Sequence, residues 1–260
     1  MNLELQGKVA LVTGSSRGIG EGIAVGLAAE GCDLILTGRD ATALEQVAAK
    51  VRGAGRRAVV LACDLREPGA TGQLAEIAAK TFGGLDILIN NAGTTQRGDF
   101  LRMSDDDWQD GFALKFFAHV RLTRAVWPLL AGRHGSVIII GGTSGRKPHH
   151  DFAIGSSVNA ACAAFGKAMA DLGKADGVQV NTIHPSHVET DRLTRRLKVE
   201  MDKTGQSMET VRAEYCRKAG IARFGTTQDV SDLVTFIVSK RANWLHGTTI
   251  DLDGGEIPTL

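Results

Sequence analysis

The stretch "TGSSRGIG", Thr13 to Gly20, decides the fold. It follows "KVALVT" (Lys8 to Thr13), a short run of β-forming apolar residues. It opens "GEGIAVGLAAEG", whose apolar residues recur at three- and four-residue spacing, the period of a helix. A strand, a glycine turn and a helix in that order bring bare backbone up to the free N–H groups of a helix start. Those N–H groups and the positive end of the helix dipole suit a pyrophosphate. A glycine cluster alone is weak evidence, but its setting between a strand and a helix makes it specific. Gly14, Ser16, Arg17, Gly18, Ile19 and Gly20 are therefore candidate dinucleotide contacts.

Outward from this turn the same alternation repeats. "DLILT" (Asp33 to Thr37), "RAVVLAC" (Arg57 to Cys63), "DILIN" (Asp86 to Asn90), "SVIIIG" (Ser136 to Gly141), "VQVNTI" (Val178 to Ile183) and "TTIDL" (Thr248 to Leu252) are β-rich and bounded by turns. Alanine-rich helical segments lie between them. Near-continuous apolar strands separated by helices indicate a parallel sheet covered on both faces. The expectation is a Rossmann-type, doubly wound, seven-stranded parallel α/β sheet in one domain over residues 1–260.

The end of the second strand distinguishes the two nicotinamide dinucleotides. An acidic residue there holds the ribose 2′-hydroxyl, whereas a basic one accommodates a 2′-phosphate. Here the strand ends "LTGRD", with Arg39 emerging first and Asp40 behind it at a helix start. Arg17, inside the glycine turn, adds a second guanidinium, and two forked donors suit a phosphate dianion. NADP(H) is expected over NAD(H).

Composition excludes other classes. The 30 Lys and Arg residues are interspersed with 29 Asp and Glu, for a net charge of +1, which gives no footprint for nucleic acid or an anionic membrane. The N-terminus lacks a basic segment followed by a long apolar run, and "VIII" (Val137 to Ile140) is too short to span a bilayer. Cys32, Cys63, Cys162 and Cys216 have no paired-ligand spacing and read as reduced core thiols. No metal site is expected, and a cytoplasmic location fits these features. One segment breaks the rhythm: Thr190 to Gly220 is long, polar and helical without a strand. From Asp191 onward it carries eight Lys and Arg against five Asp and Glu. It follows the sixth strand at the carboxyl edge of the sheet, where ligands bind, and is expected to form a substrate lid.

The glycine turn, "CDL" (Cys63 to Leu65), "NNAG" (Asn90 to Gly93) and "DLDGG" (Asp251 to Gly255) together resemble the short-chain dehydrogenase/reductase family, in its order and spacing from about Lys8 to Gly255. The resemblance implies that Asp64 and Leu65 border the adenine. It implies that Asn90, Asn91, Ala92 and Gly93 shape the edge beside the ribose and nicotinamide. "HPSHVET" (His184 to Thr190) looks like the family's Pro-Gly-x-x-x-Thr turn, with Thr190 near the carboxamide and Ser186 where glycine is usual. A homodimer or homotetramer is also implied, through the helices carrying "DGFALKFFAHVRLTRAVWPLL" and "NAACAAFGKAMADL".

The family's proton relay uses a Tyr-x-x-x-Lys pair, a Ser and an Asn. The one tyrosine here is Tyr215, with Ala219 four residues on, so no alignment yields the pair. Counting back from "VQVNTIHPS" puts Gly155 at the Tyr position, Asn159 at the Lys position and Gly142 at the Ser position. Counting on from Trp108 puts Lys115 at the Asn position. Lysine and asparagine have in effect exchanged places, so Lys115 is the candidate replacement for the lost ammonium and proton donor. Ser144 reaches the serine position if its loop is shifted by one or two residues. His149, with His150 and Asp151, precedes Gly155 and is a further candidate acid/base. His184 and His187 flank Pro185 and are expected to support the turn, with pocket lining the alternative for His187. Gly155 leaves a tyrosine-sized volume for substrate, and Arg146, Lys147 and the lid arginines suggest an anionic or polar small molecule.

Three functions stay open at this point. The first is an NADP(H)-dependent oxidoreductase on a carbonyl or alcohol with a rebuilt relay. The second is a non-catalytic NADP(H)-binding sensor or subunit. The third is a lyase or hydratase on the same fold, since function resides in the site and not in the fold.

Overall fold

Each of the seven apolar runs forms a strand in the computed structural model, which describes residues 2–258. The strands are β1 (Val9–Thr13), β2 (Asp33–Gly38), β3 (Ala58–Ala62), β4 (Ile87–Asn90), β5 (Ser136–Ile140), β6 (Gln179–Pro185) and β7 (Thr249–Leu252). They pair in the order β3-β2-β1-β4-β5-β6-β7, every pair parallel. The helices are α1 (Gly18–Ala29), α2 (Ala41–Gly53), α3 (Ala70–Phe82), α4 (Asp105–Phe112), α5 (Ala118–Ala131), α6 (Ala153–Asp176), α7 (Asp191–Thr204), α8 (Met208–Ala219) and α9 (Thr227–Ile237). The Rossmann-type seven-stranded sheet expected from the sequence is the fold observed.

The strands read as unbroken apolar runs because both faces are covered. Ala10 and Val12 of β1, Ile87 and Ile89 of β4, and Ile138 and Ile140 of β5 face Ile23, Leu44 and Val234 from α1, α2 and α9. The alternate residues Leu11, Leu88, Val137 and Ile139 face Leu74, Leu122 and Val158 from α3, α5 and α6. Side chains alternate along a strand, so one sheet builds two cores. α1 and α9 pack backbone-close along a seam of small residues. A Cβ placed on Gly22 would lie 2.8 Å from Thr227 Cβ, and one on Gly26 would lie 1.9 Å from Ser231 Oγ.

Two features position the site. The order in which strands are added to the sheet reverses between β1 and β4, and such switch points open a crevice at the carboxyl ends of the strands. α4 also runs into α5 through a π-helical turn, Ala113–Phe117, which contains Lys115. Cys162 of α6 donates from Sγ to the Lys115 carbonyl at 3.3 Å, giving that loosened turn a partner.

Beyond β6 the chain makes an excursion closed by a bridge between Val188 and Gly225. α7 and α8 fill it, and Leu193, Leu197, Val211, Ile221 and Phe224 form a small separate core there. The cysteines are all free, but only Cys32 and Cys162 are buried. Cys63 and Cys216 are half-buried, and Cys63 faces the crevice, so the expectation of four core thiols fails for these two. No described helix is long and apolar enough to cross a membrane.

Candidate active site

A cleft of about 700 Å³ opens at the β1–β4 switch point. Gly14, Ser16, Arg17, Gly18, Ile19 and Gly20 line one end of it. Gly14 has φ +64° and its Cβ would come 2.9 Å from Ala92 Cα, so this turn tolerates no side chain. Arg17 is the N-cap of α1 but makes no side-chain cap bond, which leaves the first-turn N–H groups uncapped and facing the cleft. Asn91 ties the turn to β4: its Nδ2 donates to the carbonyls of Thr13 (2.8 Å) and Gly14 (3.2 Å). Arg17 and Arg39 both line the cleft, and neither has a carboxylate partner among the described residues. Asp40 is instead occupied as the N-cap of α2, accepting from Ala43 N–H at 3.0 Å. A bare glycine turn, an uncapped helix start and two free guanidiniums fit a dinucleotide carrying an extra phosphate.

Asp64, Leu65, Ala92, Gly93 and Thr190 also line the cleft. The Asp64 carboxylate is taken up by Arg66, which donates from its backbone N–H and from Nη1, both at 3.0 Å. Thr190 caps α7 in extended conformation beside Gly18, whose Cβ would lie 3.3 Å from Thr190 Cγ2. Asn90 is not brought to the cleft. It is fully buried, and its Nδ2 donates to Thr123 Oγ1 of α5 at 2.9 Å. Its place in "NNAG" gives it a packing contact where its neighbour Asn91 has a cleft-facing one.

At the other end, Lys115, Gly142, Ser144 and Asn159 meet. Lys115 Nζ donates to the Gly141 carbonyl at 3.1 Å, and the lysine stem lies against Gly93, whose Cβ would be 2.7 Å from Lys115 Cγ. Burial lowers the Lys115 pKa to about 8. Asn159, 3 % exposed, donates from Nδ2 to Ser144 Oγ at 2.8 Å, while its Oδ1 has no partner. Gly142 is the floor under this pair, since its Cβ would lie 2.8 Å from Asn159 Nδ2. The arrangement offers an ammonium, a hydroxyl whose hydrogen remains free to donate, and an orphaned amide oxygen.

Several expected residues stand elsewhere. Gly155 leaves no vacant volume: its Cβ would lie 2.2 Å from Phe152 Cζ, so the Phe152 ring fills the space. His149 and His150 are exposed and outside the cleft lining, and Asp151 pairs with Arg97 at 2.9 Å. His149 contributes only its backbone N–H, which donates to Ser156 Oγ at 3.3 Å. Arg146 is turned away toward β7 and pairs with Asp251 at 2.8 Å, and Lys147 is likewise outside the lining. His184 is buried on β6, 3.4 Å from Asp251, and burial lowers its pKa to about 4. His187 does line the cleft, and its hydrogen bond to Glu256 holds that carboxyl at about 2. Ser186 also donates to Glu256. Tyr215 lies on α8 against His187, with ring centroids 5.0 Å apart. Sequence reading missed Phe152 and Arg97 altogether, and no local signal marks them: Arg97 reaches the cleft from a loop and Phe152 from the short turn that caps α6.

Residues 8–200 match the family described as short chain dehydrogenase. The chain is 35 % identical over 253 residues to an uncharacterized oxidoreductase of Mycobacterium tuberculosis, covering 96 % of this chain and 92 % of that one. It is 31 % identical over 254 residues to the 3-oxoacyl-(acyl-carrier-protein) reductase of Escherichia coli, covering 97 % and 98 %. Among solved structures, L-sorbose reductase of Gluconobacter frateurii, complexed with NADPH and L-sorbose, superposes with a TM-score of 0.96 at 31 % identity over 100 % of both chains. With its seven-stranded parallel sheet and its glycine turn at the β1–β4 switch point, the chain belongs to the short-chain dehydrogenase family.

Proposed function

We propose that the protein is an NADP(H)-dependent oxidoreductase that interconverts a carbonyl and an alcohol, with Lys115 in place of a tyrosine as proton donor. When bound, a nicotinamide dinucleotide supplies or accepts the hydride. Arg17 and Arg39 hold its 2′-phosphate, and the uncapped start of α1 takes the pyrophosphate. The reductase names of similar proteins and the NADPH in the L-sorbose reductase complex support this reading.

The observation that carries it is the Lys115 ammonium in the cleft, bonded to the Gly141 carbonyl alone and with its pKa lowered to about 8. Two of its three N–H donors remain free, and an acid of that strength is matched to proton transfer near neutral pH. Ser144, accepting from Asn159, turns its own hydrogen toward the substrate oxygen and steadies the charge that develops there. α7 and α8 act as the cover of this end of the cleft. Assembly through α5 and α6 belongs to the same reading, with Phe117 of the π-helical turn 48 % exposed.

The test follows deuterium from labelled NADPH into the products of a carbonyl panel. Label should appear in an alcohol with the wild-type protein. Lys115→Met should lower that turnover by about 100-fold or more, the usual scale of a general acid. Tight NADPH binding with no label transfer to any carbonyl would favour a sensor instead. Unchanged turnover and NADPH affinity in Lys115→Met would remove Lys115 from the proton transfer.

A further inference from the structure

α7 carries arginine at i, i+3 and i+4: Arg192, Arg195 and Arg196. Leu193 and Leu197 turn into the small core beneath, which leaves the arginines on the flank lining the cleft. Like charges at these spacings destabilise a helix. Among the described residues none of the three has a carboxylate within ion-pair distance. Arg192 donates to the Gly93 carbonyl at 3.0 Å, Arg196 stacks over the Tyr215 ring at 5.1 Å, and Arg195 has no acceptor among the described residues.

Arg97 faces them from the loop after β4. Its guanidinium lies 4.1 Å over the Phe152 ring, with one edge paired to Asp151 at the rim. Arg97, Arg195 and Arg196 line the same cleft. Burial raises the pKa of the Tyr215 phenol; Arg196 and Arg97 pull against that rise, while Glu256 and Glu200 add to it, so the guanidiniums share this neighbourhood with two carboxylates. A guanidinium held over a ring face keeps its outward N–H groups for an anion, and Arg97 gives one of its own to Asp151.

A dinucleotide accounts for Arg192 but not for Arg97 and Arg196. Arg17 and Arg39 stand at the opposite end, beside the glycine turn and the end of β2. Thr190 adjoins Gly18, so Arg192, at the start of α7, is within reach of a pyrophosphate. Arg196 is about one turn, roughly 5.4 Å, further along.

We propose that Arg97 and Arg196, with Arg195 at the rim, form an anion subsite, and that the substrate bears a carboxylate or phosphate group bound there. The inference rests on the oxidoreductase reading, which places the reacting carbon between this subsite and Lys115. The shared chemistry is a compact anion with at least two oxygen acceptors, suited to forked guanidinium donors.

The test is calorimetric titration of malonate, and separately of inorganic phosphate, into the protein with and without saturating NADP⁺. Binding should persist when NADP⁺ is present, because Arg17 and Arg39 are then occupied. Arg196→Gln and Arg97→Gln should each weaken it at least tenfold with NADP⁺ affinity unchanged, whereas Arg146→Gln should not. Tighter malonate assigns a carboxylate, and tighter phosphate a phosphate ester. Absence of anion binding, its abolition by NADP⁺, or its indifference to both arginine variants overturns the subsite. Arginine-dependent anion binding to a protein that takes no NADP⁺ would keep the subsite and overturn the oxidoreductase reading.

Discussion

At the scale of single residues, Lys115 combines exposure to the cleft with enough burial to shift its titration. An ammonium bonded to one carbonyl is poorly solvated, and the proton is correspondingly easier to lose. A donor must hold its proton to act in reduction. The rate of carbonyl reduction should therefore fall as pH rises through about 8, while the reverse oxidation should rise over the same range. Steady-state profiles in both directions measure this, and Lys115→Arg, whose guanidinium keeps its proton throughout, should remove the limb. A profile flat from pH 7 to 9 would show that Lys115 does not carry the proton. Phe152 and Gly155 teach a related lesson. A glycine at a crowded position marks what fills the space, which here is a ring three residues earlier in the chain.

At the scale of elements, α1 and α9 approach through paired small residues, Gly22 on Thr227 and Gly26 on Ser231. Helix propensity alone favours Gly26→Ala by about 1 kcal/mol. Packing opposes it, because the new methyl would meet Ser231 Oγ at 1.9 Å, and overpacking costs about 1–3 kcal/mol. Gly26→Ala should lower the urea midpoint. Ser231 Oγ is buried without a partner, so Ser231→Ala removes both the obstacle and an unsatisfied hydroxyl. The double variant should recover the lost stability, and a strictly additive cycle would show that the two residues do not touch.

At the scale of the whole molecule, the two cores enclose titratable groups that folding holds neutral. His119 on α5 is 1 % exposed, its Nε2 bonded to the Ala92 carbonyl at 2.9 Å. Burial lowers its pKa from 6.5 to about 4. Between those values the unfolded chain binds the proton and the folded chain does not. The stability is thus fully present above about pH 6.5 and is lost as pH falls toward 4. The shift corresponds to about 3 kcal/mol at most. His184 acts in the same direction. Urea midpoints should drop steeply from pH 6.5 to 4, and less steeply in His119→Gln, which can still donate to Ala92. An equal slope in the variant would assign the acid sensitivity elsewhere.

Local pattern in the chain carries the seven apolar runs, the helices between them, the glycine turn, and the guanidiniums Arg17 and Arg39 beside it. These were legible because strand period, helix period and turn chemistry act over a few residues. Which polar residues meet depends on long-range packing instead. Asn90 and Asn91 are neighbours in one motif, yet the pleat sends the first into the core and leaves the second at the cleft. A π-helical turn carries Lys115 to Gly141, and the ring of Phe152 closes the space at Gly155. Packing of the excursion after β6 brings Arg196 into the neighbourhood of Arg97 and Tyr215. Each of these outcomes depends on side chains distant in sequence competing for one volume, and no local period records that competition.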